Sequence, residues 1–305
     1  MNNRITSFFN NNSSNSKDNF LDTELGDRYF YSQHIFLKRK PILIVGSGPS
    51  VKNVDYRRLP EDFDIMRVNH FYKEDYFYFG RKVTYFAPIG NTGILSYLPL
   101  VLCLSIKNIY NIDHYLDFNS IIRKYFAHYI DFYKPINVDI DISRSISNYI
   151  KIYRIYNGFF EPNAGHLAII RALEYGYKDI YIVGIELSDK WEYFYDKEEV
   201  KNREGVHNFK ANIDLLKYLN SLSGVRMYSI SSTSGINSIL DLAPICDSYN
   251  YTPIKKSREE ILLNDNDLKF IEFIKSDLLS RLSKKDKAYH HIKNGNMLRS
   301  LDSIL

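Results

Sequence analysis

Residues 42–51 read ILIVGSGPSV, and their reading decides the fold. A run of apolar residues, three of them β-branched, marks a strand buried on both faces, as in a parallel sheet. Gly46 and Gly48 then form a turn at which the main chain can come close to a neighbour or a ligand. Pro49 suits the first turn of a helix. The turn is not a full dinucleotide fingerprint, because Val51 stands where the third glycine belongs.

The same strand signal recurs at 63–69 (FDIMRVN), 82–88 (KVTYFAP), 179–186 (DIYIVGIE) and 225–231 (VRMYSIS). Helical spacing appears at 163–177, with Asn163 as N-cap, Leu167, Ile170 and Leu173 on one face and Gly176 as the stop. It appears again at 208–222, with Ile213, Leu216 and Leu219 inward. Alternating strands and helices predict an α/β fold: a Rossmann-like, mainly parallel sheet with helices on both faces. Residues 54–63 read as a short irregular or helical link. Residues 94–106 read as a core strand or helix, and the rest of 94–156 as helices with strands at 107–112 and 151–156.

The chain divides into a tail (1–38), the α/β domain (39–253) and a helical, basic C-terminal extension (254–305). The tail contains the polar, low-complexity stretch 10–19, which lacks the apolar residues needed for a core. In the extension, Leu, Phe and Ile dominate 268–282, which favours packing over membrane contact.

Of the 305 residues, 45% are hydrophobic, enough for a sizeable core. The 40 basic residues are offset by 36 acidic ones, so nucleic acid is not an expected partner. Cys103 and Cys246 have neither metal spacing nor a disulfide framework, which points to a reducing compartment. With no signal pattern and no apolar run of spanning length, the expected location is cytoplasmic.

Ligands of such sheets sit at the carboxyl ends of the strands, which gathers residues 46–50, 69–70, 87–91 and 186–195. Asp62-x-Asp64 and Asp139-x-Asp141 resemble the pair that holds a metal and a diphosphate in many sugar transferases. Asp64 leads into an apolar strand, so a solvated strand start is the favoured reading and no metal site is assigned. No Gly-x-Ser-x-Gly elbow occurs. His207 stands just before a helix, where the dipole favours a neutral imidazole able to accept a hydroxyl proton. The aromatic, polar loop at about 187–207 has the composition of a lid, and its Tyr193 and Tyr195 offer hydroxyls to a phosphate.

Several of these segments together resemble the bacterial lipooligosaccharide sialyltransferases of glycosyltransferase family 42. They are 42–72, 172–186, 207–219 and 238–244. The resemblance implies a GT-A-like variant of the Rossmann-like fold with a small lid. It implies transfer of sialic acid from a CMP-activated donor to a glycan hydroxyl, with inversion and no metal or other cofactor. The glycan would be lipooligosaccharide or capsule, the enzyme a homotetramer, and its place the inner face of the bacterial inner membrane.

By the same resemblance Gly46, Ser47, Gly48, Asn69, His70 and Gly165 line the nucleotide site. His207 matches the general base and Tyr193 a tyrosine that holds the leaving phosphate. Asn163, Ser188, Tyr195, Lys190, Asn91 and His114 are candidates for the donor sugar or phosphate.

This sequence also departs from the family pattern. Ser47 and Ala87 replace asparagines, Ser188 replaces the second phosphate tyrosine, and an Arg-x-Thr-Ser-Gly segment becomes Glu161-Pro162-Asn163-Ala164-Gly165. Reversing a charge beside an anionic sugar implies a changed donor, such as another CMP-linked nonulosonic acid. Two alternatives stand beside this reading. One is a Mg²⁺-dependent pyrophosphokinase-like or motility-associated transferase of related fold. The other is a non-catalytic CMP-binding protein.

Overall fold

The structure, a computed structural model, describes residues 40–89, 97–117, 123, 126–135, 138–187, 208–257 and 262–282. Six parallel strands form the sheet: β1 (Ile42–Val45), β2 (Asp64–Val68), β4 (Lys82–Ala87), β5 (Asn111–Tyr115), β6 (Asp179–Val183) and β7 (Arg226–Ser229). Their spatial order is β5-β4-β2-β1-β6-β7. The chain therefore builds outward from β1 on one side, then returns to add β6 and β7 on the other. The order reverses at β1, where Ile44 pairs with both Met66 and Ile182. A doubly wound sheet opens its ligand crevice at such a reversal.

Alternation along β1 sets the two faces. Ile42 and Ile44 join the core built with α2 (Ile140–Asn157), α3 (Ala164–Glu174) and α4 (Phe209–Asn220). Leu43 and Val45 join a core closed by irregular chain, including Leu59 and Ala243. Further along that second face, α1 (Leu98–Ile106) and α5 (Asp265–Arg281) pack together over Phe71 and Phe86. Helices thus cover both faces, as the alternation predicts. Two further short strands, β3 (Tyr76–Phe77) and β8 (Ile254–Lys255), form an antiparallel pair.

Residues 151–156 are not a strand: they lie inside α2. Of their apolar side chains Tyr153 continues the face of Ile142, Ile146 and Tyr149 against the core, while Ile152, Ile155 and Tyr156 lie on the outer side and are exposed. The strand expected at 107–112 starts later, at Asn111. Residues 107–110 instead turn off the end of α1, with Lys107 N bonded to Cys103 O and Asn108 in the left-handed region (φ 57°). Residues 94–106 resolve as the helix α1 over the described part, with Leu98, Leu100 and Val101 buried. The C-terminal extension is not helical from its start, because β8 precedes α5. Ile271, Ile274 and Leu278 of α5 are buried among α1 residues, so this helix presents its apolar face to the protein itself.

Between the sheet and this second layer lies a buried ionic cluster. Arg67 and Glu74 have no exposed side-chain surface and meet at 2.5 Å. Tyr110 donates to the other Glu74 oxygen at 3.0 Å. Lys256 donates to the Tyr72 carbonyl at 2.9 Å. Burial pushes the Lys256 ammonium down from 10.5 to about 8, against the opposing pull of Glu74.

Candidate functional site

The glycine turn after β1 folds down onto the turn after β6. Gly46 N donates to Val183 O at 2.9 Å, and Gly48 N to Gly184 O at 2.8 Å. Gly184 N donates back to the Ser50 hydroxyl at 2.9 Å. A Cβ on Gly46 would collide with the Gly184 carbonyl, and one on Gly48 would meet the Glu186 side chain. The two glycines therefore exist first for the meeting of two backbones. Gly184 itself sits at φ 69°, a conformation suited to glycine.

Glu186 completes this seam. One carboxylate oxygen accepts from the Ser50 amide at 3.0 Å, and the other from the Gly235 amide at 2.9 Å. Ser234 Oγ lies 3.4 Å from the second oxygen. The carboxylate thus stands at the start of two short 3₁₀ turns, Pro49–Asn53 and Gly235–Ser238, where backbone N–H groups favour negative charge. The amides of Gly46, Gly48 and Ser50 all bond within the chain, so the turn is not a bare phosphate cradle. Gly46 and Gly48 are buried, whereas Ser47 shows part of its surface.

On one side of the turn lies the end of β2. Asn69 takes a left-handed conformation (φ 49°), which asparagine tolerates better than most residues. Its Oδ1 accepts from Ile89 N at 2.7 Å and from the Tyr97 hydroxyl at 3.3 Å. His70 follows, half-buried, with Nδ1 3.1 Å from the Tyr72 hydroxyl and its ring centroid 4.3 Å from that of Tyr97. On the other side lies the start of α3. The Asn163 side-chain Oδ1 caps this helix by accepting from His166 N at 3.0 Å. A Cβ on Gly165 would stand 2.8 Å from Ile185, so glycine lets the first turn of α3 press onto the segment after β6.

Gly46, Ser47, Gly48, Asn69, His70, Asn163 and Gly165 thus stand at the carboxyl edge of the sheet, around the reversal at β1. His114 does not join them. It lies on β5, at the far edge of the sheet, with its ring among those of Tyr85 and Tyr133. Ala87 is fully buried as the last residue of β4, and Glu161 is exposed ahead of α3. His207, Tyr193, Tyr195, Ser188, Lys190 and Asn91, with most of the expected lid, lie outside the described residues.

The paired aspartates are engaged by the protein. Asp62 and Asp64 both meet Lys40, at 3.1 and 3.2 Å. Asp64 also accepts from Tyr177, and burial, followed by that carboxylate, drives the Tyr177 hydroxyl far above its ordinary range. Asp139 caps α2 by accepting from Ile142 N, and it meets Lys178 at 3.2 Å. Among the described residues no group of three or more His, Cys, Asp or Glu is placed to hold a metal ion.

Glu186 and Asn212 are the site residues that the sequence reading did not single out. Asn212 had one visible signal: a polar residue on the same helical face as Leu215, Leu216 and Leu219. Glu186 had only its place after a buried strand.

The family model described as Alpha-2,3-sialyltransferase (CST-I) matches residues 40–301. No curated protein matches the chain. Among solved structures, the monofunctional alpha-2,3-sialyltransferase Cst-I of Campylobacter jejuni is 26% identical with a TM-score of 0.62, over 84% of this chain and 98% of that one. An apo alpha-2,3-sialyltransferase of Campylobacter jejuni is 27% identical with a TM-score of 0.57, over 83% and 100%. The sialyltransferase CstII of Campylobacter jejuni, solved with the substrate analogue CMP-3FNeuAc, is 24% identical with a TM-score of 0.58, over 77% and 99%, and adds support for the fold. A parallel sheet whose strand order reverses at β1, and a family match running from just ahead of β1 to residue 301, lead to one conclusion: this chain belongs to the CST-I alpha-2,3-sialyltransferase family of glycosyltransferases.

Proposed function

We propose that this chain moves sialic acid, or a related nonulosonic acid, from a CMP-activated donor to a hydroxyl of a glycan acceptor, with inversion and without a metal. The observation that carries the reading is the family match over residues 40–301, laid on a sheet whose strand order reverses at β1, just ahead of Gly46–Ser50. The CMP moiety lies over Ser47 and beside Asn69, with the donor sugar toward Asn163 and Gly165. The substrate analogue CMP-3FNeuAc bound by the relative CstII supports that class of donor.

In the proposed step the acceptor oxygen attacks the anomeric carbon as the bond to the CMP phosphate breaks. CMP leaves with the bonding electron pair. His207 takes the acceptor proton, and Tyr193 donates a hydrogen bond to the departing phosphate. CMP leaves as a phosphate monoester with less charge than a diphosphate, so hydroxyl donors suffice in place of a cation. By the family resemblance the replacements at Ala87, Glu161, Ala164 and Ser188 belong to the sugar end, which makes the donor sugar the point of divergence from the relatives.

The test is a donor screen. Purified protein is incubated with CMP-sialic acid and other CMP-linked nonulosonic acids plus a galactose-terminated acceptor, with and without EDTA, and CMP release is measured. The expected result is EDTA-insensitive release with at least one donor. His207→Ala should lose about 10²-fold or more in transfer while still binding CMP. Near-normal turnover by that variant removes His207 as the base, and ATP consumption that requires Mg²⁺ supports the pyrophosphokinase-like alternative.

A further inference from the structure

A single buried amide joins the first turns of α3 and α4. Asn212 is 2% exposed. Its Nδ2 donates to the Asn208 carbonyl at 3.0 Å, and its Oδ1 accepts from the Asn163 backbone N–H at 3.2 Å. These two bonds fix which way the amide points, since only the oxygen can accept and only the nitrogen can donate.

Both partners are themselves helix caps. The Asn208 side chain accepts from Ala211 N at 2.9 Å and starts α4. The Asn163 side chain accepts from His166 N, and from His166 Nδ1 at 2.7 Å, and starts α3. Because the oxygen of Asn163 can only accept, Nδ1 of the buried His166 carries the proton.

Position 212 belongs to the apolar face of α4, beside Ala211, Leu215 and Leu216, all fully buried. Leucine there would be a better helix former and would bury no polar group. The asparagine instead gives the contact a fixed register. A greasy contact between two helices can slide, whereas a pair of hydrogen bonds at opposite ends of one amide cannot slide without leaving a buried group unpaired.

We propose that Asn212 is a positioning residue for transfer. It locks the first turn of α4 to the segment Asn163–Gly165, which presses onto Ile185 at the crevice. His207 is the residue immediately before Asn208, so the lock fixes where the chain carrying the base leaves the helix relative to the donor side. This inference rests on the assignment of His207 as the base. Displacement of a reacting group by about 1 Å can cost about 10²-fold in rate, which sets the scale of effect that a register lock controls.

Two variants separate positioning from folding. Asn212→Leu keeps the branching of the side chain, adds some bulk and removes both bonds. Asn212→Ser keeps a donor to the Asn208 carbonyl one turn back but cannot reach Asn163. Each is made in the native chain and in the His207→Ala background. Measured are kcat and KM with CMP-sialic acid and a galactose-terminated acceptor, and the Kd for CMP.

The expected result is a fall in kcat of about tenfold or more for both variants, with the Kd for CMP within about twofold of the native value. No further loss is expected when either is added to His207→Ala. A native kcat for Asn212→Ser, or losses that simply add to that of His207→Ala, would overturn the positioning role and leave Asn212 a structural residue. Near-normal turnover by His207→Ala alone would instead overturn the base assignment, and that outcome is read without any Asn212 variant.

Discussion

Glu186 holds the backbone amide of Ser50 at 3.0 Å, so a side chain from the end of β6 caps the turn that leaves β1. The same carboxylate reaches Gly235 after β7. One residue thus joins the outlets of three strands that follow one another across the sheet, β1, β6 and β7. Glu186→Ala leaves the Ser50 and Gly235 amides without this partner, at a cost of about 1–3 kcal/mol in urea unfolding. It should also weaken CMP binding in calorimetry, because the turn that presents Ser47 loses its support. Unchanged stability together with unchanged CMP affinity would refute this role.

Gly46 has no room for a side chain, because the Gly184 carbonyl occupies the place of a Cβ. Gly46→Ala is expected to cost about 3 kcal/mol, at the upper end for overpacking, since backbone rather than a flexible tip must move. Gly224→Ala is the control. Nothing lies within 4 Å of a Cβ there, but its φ of 74° makes alanine strained by about 1–2 kcal/mol. Thermal melts of both variants should rank Gly46→Ala as the more damaging.

Arg67 and Glu74 form an ion pair with no side-chain exposure, and among the described residues Arg67 Nε and Nη1 find no hydrogen-bond partner. The Arg67 guanidinium lies 5.1 Å from the centroid of the Phe71 ring. Removing one partner strands a buried charge, so Glu74→Leu should lower stability by about 3–5 kcal/mol. The double change Arg67→Met with Glu74→Leu should recover much of that loss. A double variant less stable than the single one would mean that the pair is itself a net source of stability.

Lys256 gives the fold a pH dependence of known sign. Its folded value of about 8 lies below its ordinary 10.5, so the folded state gives up this proton more readily than the unfolded one. The stability associated with neutral Lys256 is therefore complete above 10.5 and lost as pH falls through 8. Between pH 8 and 10, unfolding free energy of the native chain should rise relative to Lys256→Met. Parallel curves for the two proteins over that window would show that Lys256 titrates normally.

The sheet was legible because its strands are continuous apolar runs, and β1, β2, β4, β6 and β7 fall within the stretches read as strands. The cap at Asn163 was legible as a polar residue just ahead of an apolar helical face, whereas Asn208 was read only as the start of a helix that it in fact caps. α2 was harder. Its inward residues are mostly half-buried tyrosine and isoleucine, and Ile152, Ile155 and Tyr156 on its outer side are exposed, so the helical period is blurred. What joins the candidate site could not be read. Glu186 and Ser50 are 136 positions apart, and Asn212 and Asn163 are 49 apart. A local pattern carries no trace of such pairs, because they come from how strands and helices are stacked. The position of His114 at one edge of the sheet was hidden for the same reason: residue type and approximate position did not reveal which edge β5 would take.

α5 supplies Ile271, Ile274 and Leu278 to the same core as Leu98, Leu100 and Val101 of α1. Its first turn is tied to the end of α1 through Lys107 and Asp267, at 2.5 Å. A protein cut short before Ile254 would lose this cover along with Lys256. Such a truncation leaves a wide oily scar over Phe71 and Phe86 and would yield inclusion bodies on overexpression, so minimal versions for crystallisation or engineering should end beyond Leu282.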